Sequence, residues 1–173
     1  MKWRRDKKET TPAPADIYVQ LRQRVLTAKP DDIGLPPSED QQRPWAVLME
    51  MAYPEAVATL VSVADNTTSF YFSNGGGIIG AGEWPQVAEA TQFFVASAQA
   101  FLPHMTPTSD FPLPEAGHVR FHVLTYGGAY TADVPDADIR QQHPLTQLYA
   151  IAHLALTRMK QLEKSTRQQR GKG

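Results

Sequence analysis

Three residues able to do chemistry alternate along one short run, "HVRFHVLTY": His118, Arg120 and His122. Alternate side chains of a strand share a face, so these three stand together, opposite Val119, Phe121 and Val123. An enzyme or ligand-binding site on this face would use Arg120, His122 and nearby carboxylates. A shared metal is not expected. Four residues of strand separate the two imidazoles by roughly 13 Å, whereas both ligands would have to lie about 2.1 Å from one ion. The simpler expectation is a polar sheet face turned to solvent. Arg120 is the only basic residue between Arg43 and Arg140. A buried guanidinium is costly without a carboxylate, and the acidic excess of the body favours an internal partner over a docking role.

A second candidate is "SNGGGIIGAG", Ser73 to Gly82, which holds five of the eleven glycines. A triphosphate-binding loop needs a lysine and a hydroxyl after its last glycine, but Glu83 and Trp84 follow Gly82. Gly75, Gly77 and Gly80 match the dinucleotide spacing, yet that fingerprint belongs in a parallel βαβ unit, and the run here follows a meander. The expectation is therefore a hairpin turn with positive φ at Asn74 and Gly75, returning as a short strand or bulge. Asn74, Gly75, Gly76 and Gly77 then leave bare backbone that a partner can approach. No nucleotide and no other cofactor is expected.

Other constellations are weaker. Asp133, Asp136 and Asp138 lack the spacing and the glycine of a calcium loop and read as a turn with helix-capping carboxylates. His143, before Pro144, reads as a cap, and His153 as a packed helix residue. No serine sits in a nucleophile elbow. The absence of cysteine excludes thiolate chemistry and cysteine-ligated metals. The absence of lysine between Lys29 and Lys160 excludes a Schiff-base lysine in the body.

Charge is segregated along the 173 residues. Residues 30–157 carry three basic residues against 14 acidic ones, while both ends are basic. The ends, with Trp3, could grip phosphates by counterion release, but the acidic body opposes nucleic acid as a partner. "MKWRRDKKETTPAPAD" continues into polar residues where a signal peptide turns apolar. The longest apolar stretches, "AVATLVSVA" and "LYAIAHLAL", are about half a membrane span. No membrane insertion and a cytoplasmic location are expected.

The periodicities predict the elements that must position these residues. Residues 1–15 read as a disordered basic arm. Residues 16–29 read as an amphipathic helix with Ile17, Leu21, Val25 and Ala28 inward. Residues 30–44 read as a proline-rich linker. The body, residues 45–162, begins with a three-strand meander in which Trp45, Val47, Met49, Met51 and Tyr53 share a face. Pro85 opens a helix whose stripe is Val87, Ala90, Phe94, Ala98 and Phe101. A hairpin turns at Gly127 and Gly128, and a last helix runs from Pro144. Residues 163–173 read as a disordered basic tail.

The expected class is α+β, an antiparallel sheet of about five strands with helices, in the order α-β-β-β-α-β-β-α. In this order and in its acidity the chain resembles the class I type III secretion chaperones over residues 16–162. The resemblance implies a small, acidic, homodimeric binder of other proteins. A non-enzymatic protein-interaction or chaperone-like module is thus the leading expectation, and a small enzyme or ligand-binding domain on the Arg120/His122 face is the alternative.

Overall fold

A computed structural model describes residues 14–172. Its elements are α1 (Asp16–Thr27), β1 (Pro44–Ala52), β2 (Val57–Val63), β3 (Thr68–Phe72), β4 (Gly77–Ile78), α2 (Pro85–Ala98), β5 (Thr106–Thr108), β6 (His118–Thr125), β7 (Gly128–Pro135), α3 (Asp136–Ile139) and α4 (Thr146–Arg170). The class is α+β. The strands form one seven-stranded sheet in the order β4-β3-β2-β1-β6-β7-β5, and every neighbouring pair is antiparallel.

The two strands beyond the expected five lie at the sheet's two edges. The returning segment after the glycine run supplies two residues, Gly77 and Ile78, and the proline-broken loop supplies Thr106–Thr108. Pro107 has no N–H to offer a further strand, and a two-residue edge offers almost none. Both edges are therefore poor templates for strand addition.

Each face of the sheet has its own core. Val47, Met49, Leu60, Phe70, Phe121 and Val123 pack against Val87 and Phe94 of α2 and against Leu148 and Leu156 of α4. On the other face Leu48, Val61, Val63, Tyr71 and Leu124 pack under Tyr18, Leu21 and Val25 of α1, with Phe111 and Leu113 from the segment before β6. This second layer corrects four sequence expectations. The face bearing His122 is roofed by α1 and is not open to solvent. The helix turns Tyr18, Leu21 and Val25 inward while Ile17 is exposed, because Arg22, between them, is drawn onto the sheet. Residues 30–44 are no free spacer, since Pro30–Ile33 forms a 3-10 turn and Ile33 and Leu35 pack on the same core. Trp45 also belongs to this face, because the register against β6 slips between Pro44 and Ala46 and such a bulge re-aims a side chain.

Two further boundaries differ. Helix α4 continues to Arg170, through the residues read as a tail, although its last packed residue is Leu162. Of the basic arm, residues 1–13 lie outside the described residues. Among the described residues no helix is long and apolar enough to cross a membrane.

The glycine run is the hairpin between β3 and β4. Positive φ falls on Gly75, Gly76 and Gly77 but not on Asn74. At Gly77 a side chain would collide with the Phe70 carbonyl and with Tyr71, so this glycine allows β4 to lie against β3. Replacing Gly77 with Ala combines strained backbone with a clash and is expected to cost about 2 kcal/mol or more. Gly76→Ala meets no neighbour and carries only the cost of its φ, about 1 kcal/mol. Urea denaturation midpoints of the two variants check this order.

Candidate functional site

One transverse row of polar side chains crosses the sheet on the α1 face. Strand registers place Tyr71 of β3 opposite Thr59 of β2, Thr59 opposite Glu50 of β1, Glu50 opposite Arg120 of β6, and Arg120 opposite Asp133 of β7. In β1 the sequence "PWAVLMEMA" is otherwise apolar, so Glu50 is a lone carboxylate at the centre of the sheet, with no exposed surface.

Arg22 of α1 makes that burial tolerable. Its Nε donates to Glu50 Oε1 at 2.6 Å and its Nη2 to Oε2 at 2.9 Å, the bidentate geometry that suits a guanidinium and a carboxylate. The same Nη2 reaches the Phe111 carbonyl at 2.8 Å. Thr59 Oγ1 donates to Oε1 at 3.2 Å, and Tyr18 hydrogen-bonds Thr59 at 2.8 Å. His122, fully buried, places Nε2 3.4 Å from Glu50 Oε2 and 3.2 Å from the Pro112 carbonyl. Burial alone would push the Glu50 carboxyl up, but the Arg22 hydrogen bonds, aided by His122, outweigh it and hold the group below the usual carboxylate range. Burial, with the Glu50 charge, pushes the Tyr18 and Tyr71 phenols well above their ordinary values.

This arrangement joins α1 to the sheet. Both oxygens of Glu50 are engaged, so it is no free base, and Arg22 is spent on Glu50 and a main-chain carbonyl. Two groups on this face keep capacity, His122 through its unpartnered Nδ1 and Tyr71. The Tyr71 hydroxyl is buried with no hydrogen-bond partner. It borders a cleft of about 730 Å³ between α1 and strands β1 to β3, walled by Leu21, Val25, Trp45, Val61 and Val63. Arg24, Asp32 and Asp65 border the same cleft, as does Ile79, which is 66% exposed.

At the β7 end of the row lies a separate, half-exposed group. His118 Nδ1 is 2.9 Å from Asp133 Oδ2, and Arg120 Nε is 3.4 Å from Asp133 Oδ1. The residues singled out in the sequence thus fall into three places. His122 lies in the Glu50 centre, His118 and Arg120 lie beside Asp133, and Asn74 to Gly77 form the turn beyond β3. The Arg120 guanidinium has its carboxylate within the chain. His143 accepts the Leu145 N–H through Nδ1, and His153 packs on Tyr149 with ring centres 4.2 Å apart. Arg22, Glu50, Thr59, Tyr18 and Tyr71 were not singled out. The lone glutamate in β1 was the one signal for them, and nothing in the sequence named Arg22 as its partner.

The class these observations define is an α+β domain with both faces of an antiparallel sheet covered and a buried ion pair holding the second cover. Comparison with family models, with curated proteins and with solved structures finds no match to this chain.

Removing Arg22 tests the centre. Arg22→Met leaves Glu50 buried and unpaired and is expected to cost about 3–5 kcal/mol at pH 7. The pH dependence should also change sign. In the native protein the folded carboxyl lies below its unfolded value of about 4.3, so its stabilisation is full above that pH and is lost as pH falls. In Arg22→Met the folded value is raised by burial, and stability should recover as pH falls from 7 towards 5. Chemical denaturation at several pH values reads both effects.

Proposed function

We propose that the protein is a non-enzymatic, chaperone-like module that holds an apolar segment of another protein in the cleft between α1 and the sheet. The cleft itself carries this reading: its size is that of a ligand site, and Leu21, Val25, Trp45, Val61 and Val63 give it an apolar wall. Arg22 is engaged with Glu50 and Arg120 with Asp133, which leaves the alternative, an enzyme on the Arg120/His122 face, with only the enclosed Nδ1 of His122 unengaged among these groups. A partner is also poorly served by the sheet edges, one of two residues and one bearing Pro107. Charge specifies the segment further. Asp32 and Asp65 outnumber Arg24 around the cleft, and residues 30–157 carry 14 acidic residues against three basic ones, so the favoured segment has an apolar centre and basic flanks. The resemblance in element order to the class I type III secretion chaperones points the same way.

A second reading rests on Tyr71. A buried hydroxyl without a partner suits a small amphipathic ligand that brings one hydrogen-bond acceptor.

Fluorescence anisotropy with a panel of labelled peptides, each with an apolar core between lysine or glutamate flanks, tests the proposal. Lysine-flanked members should bind saturably with Kd of about 1–100 μM, a usual range for weak, transient recognition. Glutamate-flanked members should bind at least about tenfold more weakly, a difference of roughly 1.4 kcal/mol. Ile79→Glu, at an exposed position, should abolish binding without moving the melting temperature. Absence of binding, or binding indifferent to Ile79→Glu, would overturn the peptide reading. Saturable uptake of a labelled fatty acid, weakened in Tyr71→Phe, would install the second.

A further inference from the structure

The half-exposed group at the end of the polar row is a metal site, we propose, formed by Glu115, His118 and Asp133 and suited to a divalent transition ion, zinc first. One ligand atom from each of the three residues lies within 4.8 Å of the other two. Ligands about 2.0–2.1 Å from one tetrahedral ion stand roughly 3.3 Å apart, so closing the site takes a contraction of about 1.5 Å or less. The mobile member can supply it, because the Glu115 side chain is 75% exposed. The other two are set by backbone. His118 N–H donates to the Glu115 carbonyl at 3.0 Å, closing a turn whose third residue, Gly117, has the positive φ such a turn requires. Asp133 comes from the paired strand, with its neighbour Val134 opposite Val119 and itself opposite Arg120.

A second observation separates this group from a chance surface cluster. The Asp133 carboxylate is already aimed. Arg120 lies beside Oδ1, and its Nη1 is fixed in turn by Thr131 Oγ1 at 3.2 Å, which itself donates to the Phe121 carbonyl at 3.0 Å. That leaves Oδ2 facing His118. The contact at Oδ1 is an ion pair at 3.4 Å without a hydrogen bond, and a neighbouring group beside a carboxylate's second oxygen is the usual construction around a bound ion. Charge also balances, since two carboxylates and a neutral imidazole match a divalent cation. A nitrogen with two oxygens, and a fourth place open to water, suits zinc over magnesium or calcium, which favour all-oxygen shells.

The ion would have work to do. Glu115 closes the segment 109–117, and Phe111 and Pro112 of that segment supply the carbonyls that meet Arg22 and His122. Binding at Glu115, His118 and Asp133 therefore anchors the far end of the strap that closes the Glu50 centre.

Titration of the full chain with cobalt, followed by visible absorption, and with zinc, followed by calorimetry, tests the site. One zinc per chain is expected, with Kd of about 10 μM or below and slower amide exchange over residues 109–118. Glu115→Gln should weaken binding at least about tenfold, and His118→Ala should abolish it. His104→Ala, at an exposed position elsewhere, should change nothing. No saturable binding up to about 1 mM, or affinity unaltered in both ligand variants, overturns the proposal. If His118→Ala fails to fold, Glu115→Gln alone decides, since an exposed side chain carries no part of the core.

Discussion

A carboxylate with no exposed surface, at the centre of an antiparallel sheet, is the constraint on which the arrangement of the α1 face depends. Ionised and alone, Glu50 would be prohibitively costly to desolvate. Protonated, it would still bring a polar group into an apolar strand. The chain meets it with a guanidinium from a helix 28 residues earlier in sequence, and by doing so fixes the position and rotation of that helix. The pair contributes less to net stability than its short distances suggest, because both charges lose their water. What it supplies is direction: of the ways α1 could lie on an apolar surface, only one delivers Arg22 to Glu50.

The consequences spread from there. With Arg22 turned inward, Tyr18 reaches Thr59 and stacks edge-on against Tyr71 at 5.5 Å. Ile17 is left outside, and the helix stands off strands β2 and β3 far enough to leave the cleft. The segment before β6 is drawn in as well, because the guanidinium has donors left for its carbonyls. Cleft, strap and polar row are thus three results of one buried pair, while α2 and α4 on the opposite face are held by apolar packing of an ordinary kind.

Much of the fold was legible. Period-two alternation in β1 and β6, Pro85 at the start of α2 and the paired glycines at the β6–β7 turn each act locally, and each was found where expected. The features that escaped depend on contacts distant in sequence. Thr106–Thr108 is a strand only because β7 lies beside it. Trp45 changes face through a bulge that is defined by its partner strand. Arg22 looked like one more charge in a basic N-terminal region, and its burial is visible only once Glu50 is opposite. The same holds for the His118 group. Along β6, His118 and His122 point alike but stand far apart, whereas Glu115 comes from a turn and Asp133 from across the ladder.

The pairing of β1 with β6 sets the order in which this molecule can assemble. Strands β1 to β4 are joined by short turns and can form as soon as they exist, but β6 begins at residue 118 while β1 ends at residue 52. Closing so long a loop is slow compared with forming a hairpin. Helix α1, which precedes all seven strands in the chain, needs the Phe111 carbonyl and the His122 ring around its guanidinium before its own contacts are complete. During synthesis it therefore waits, its apolar side uncovered, until β6 has emerged. The helix that precedes the strands is among the last elements to lock.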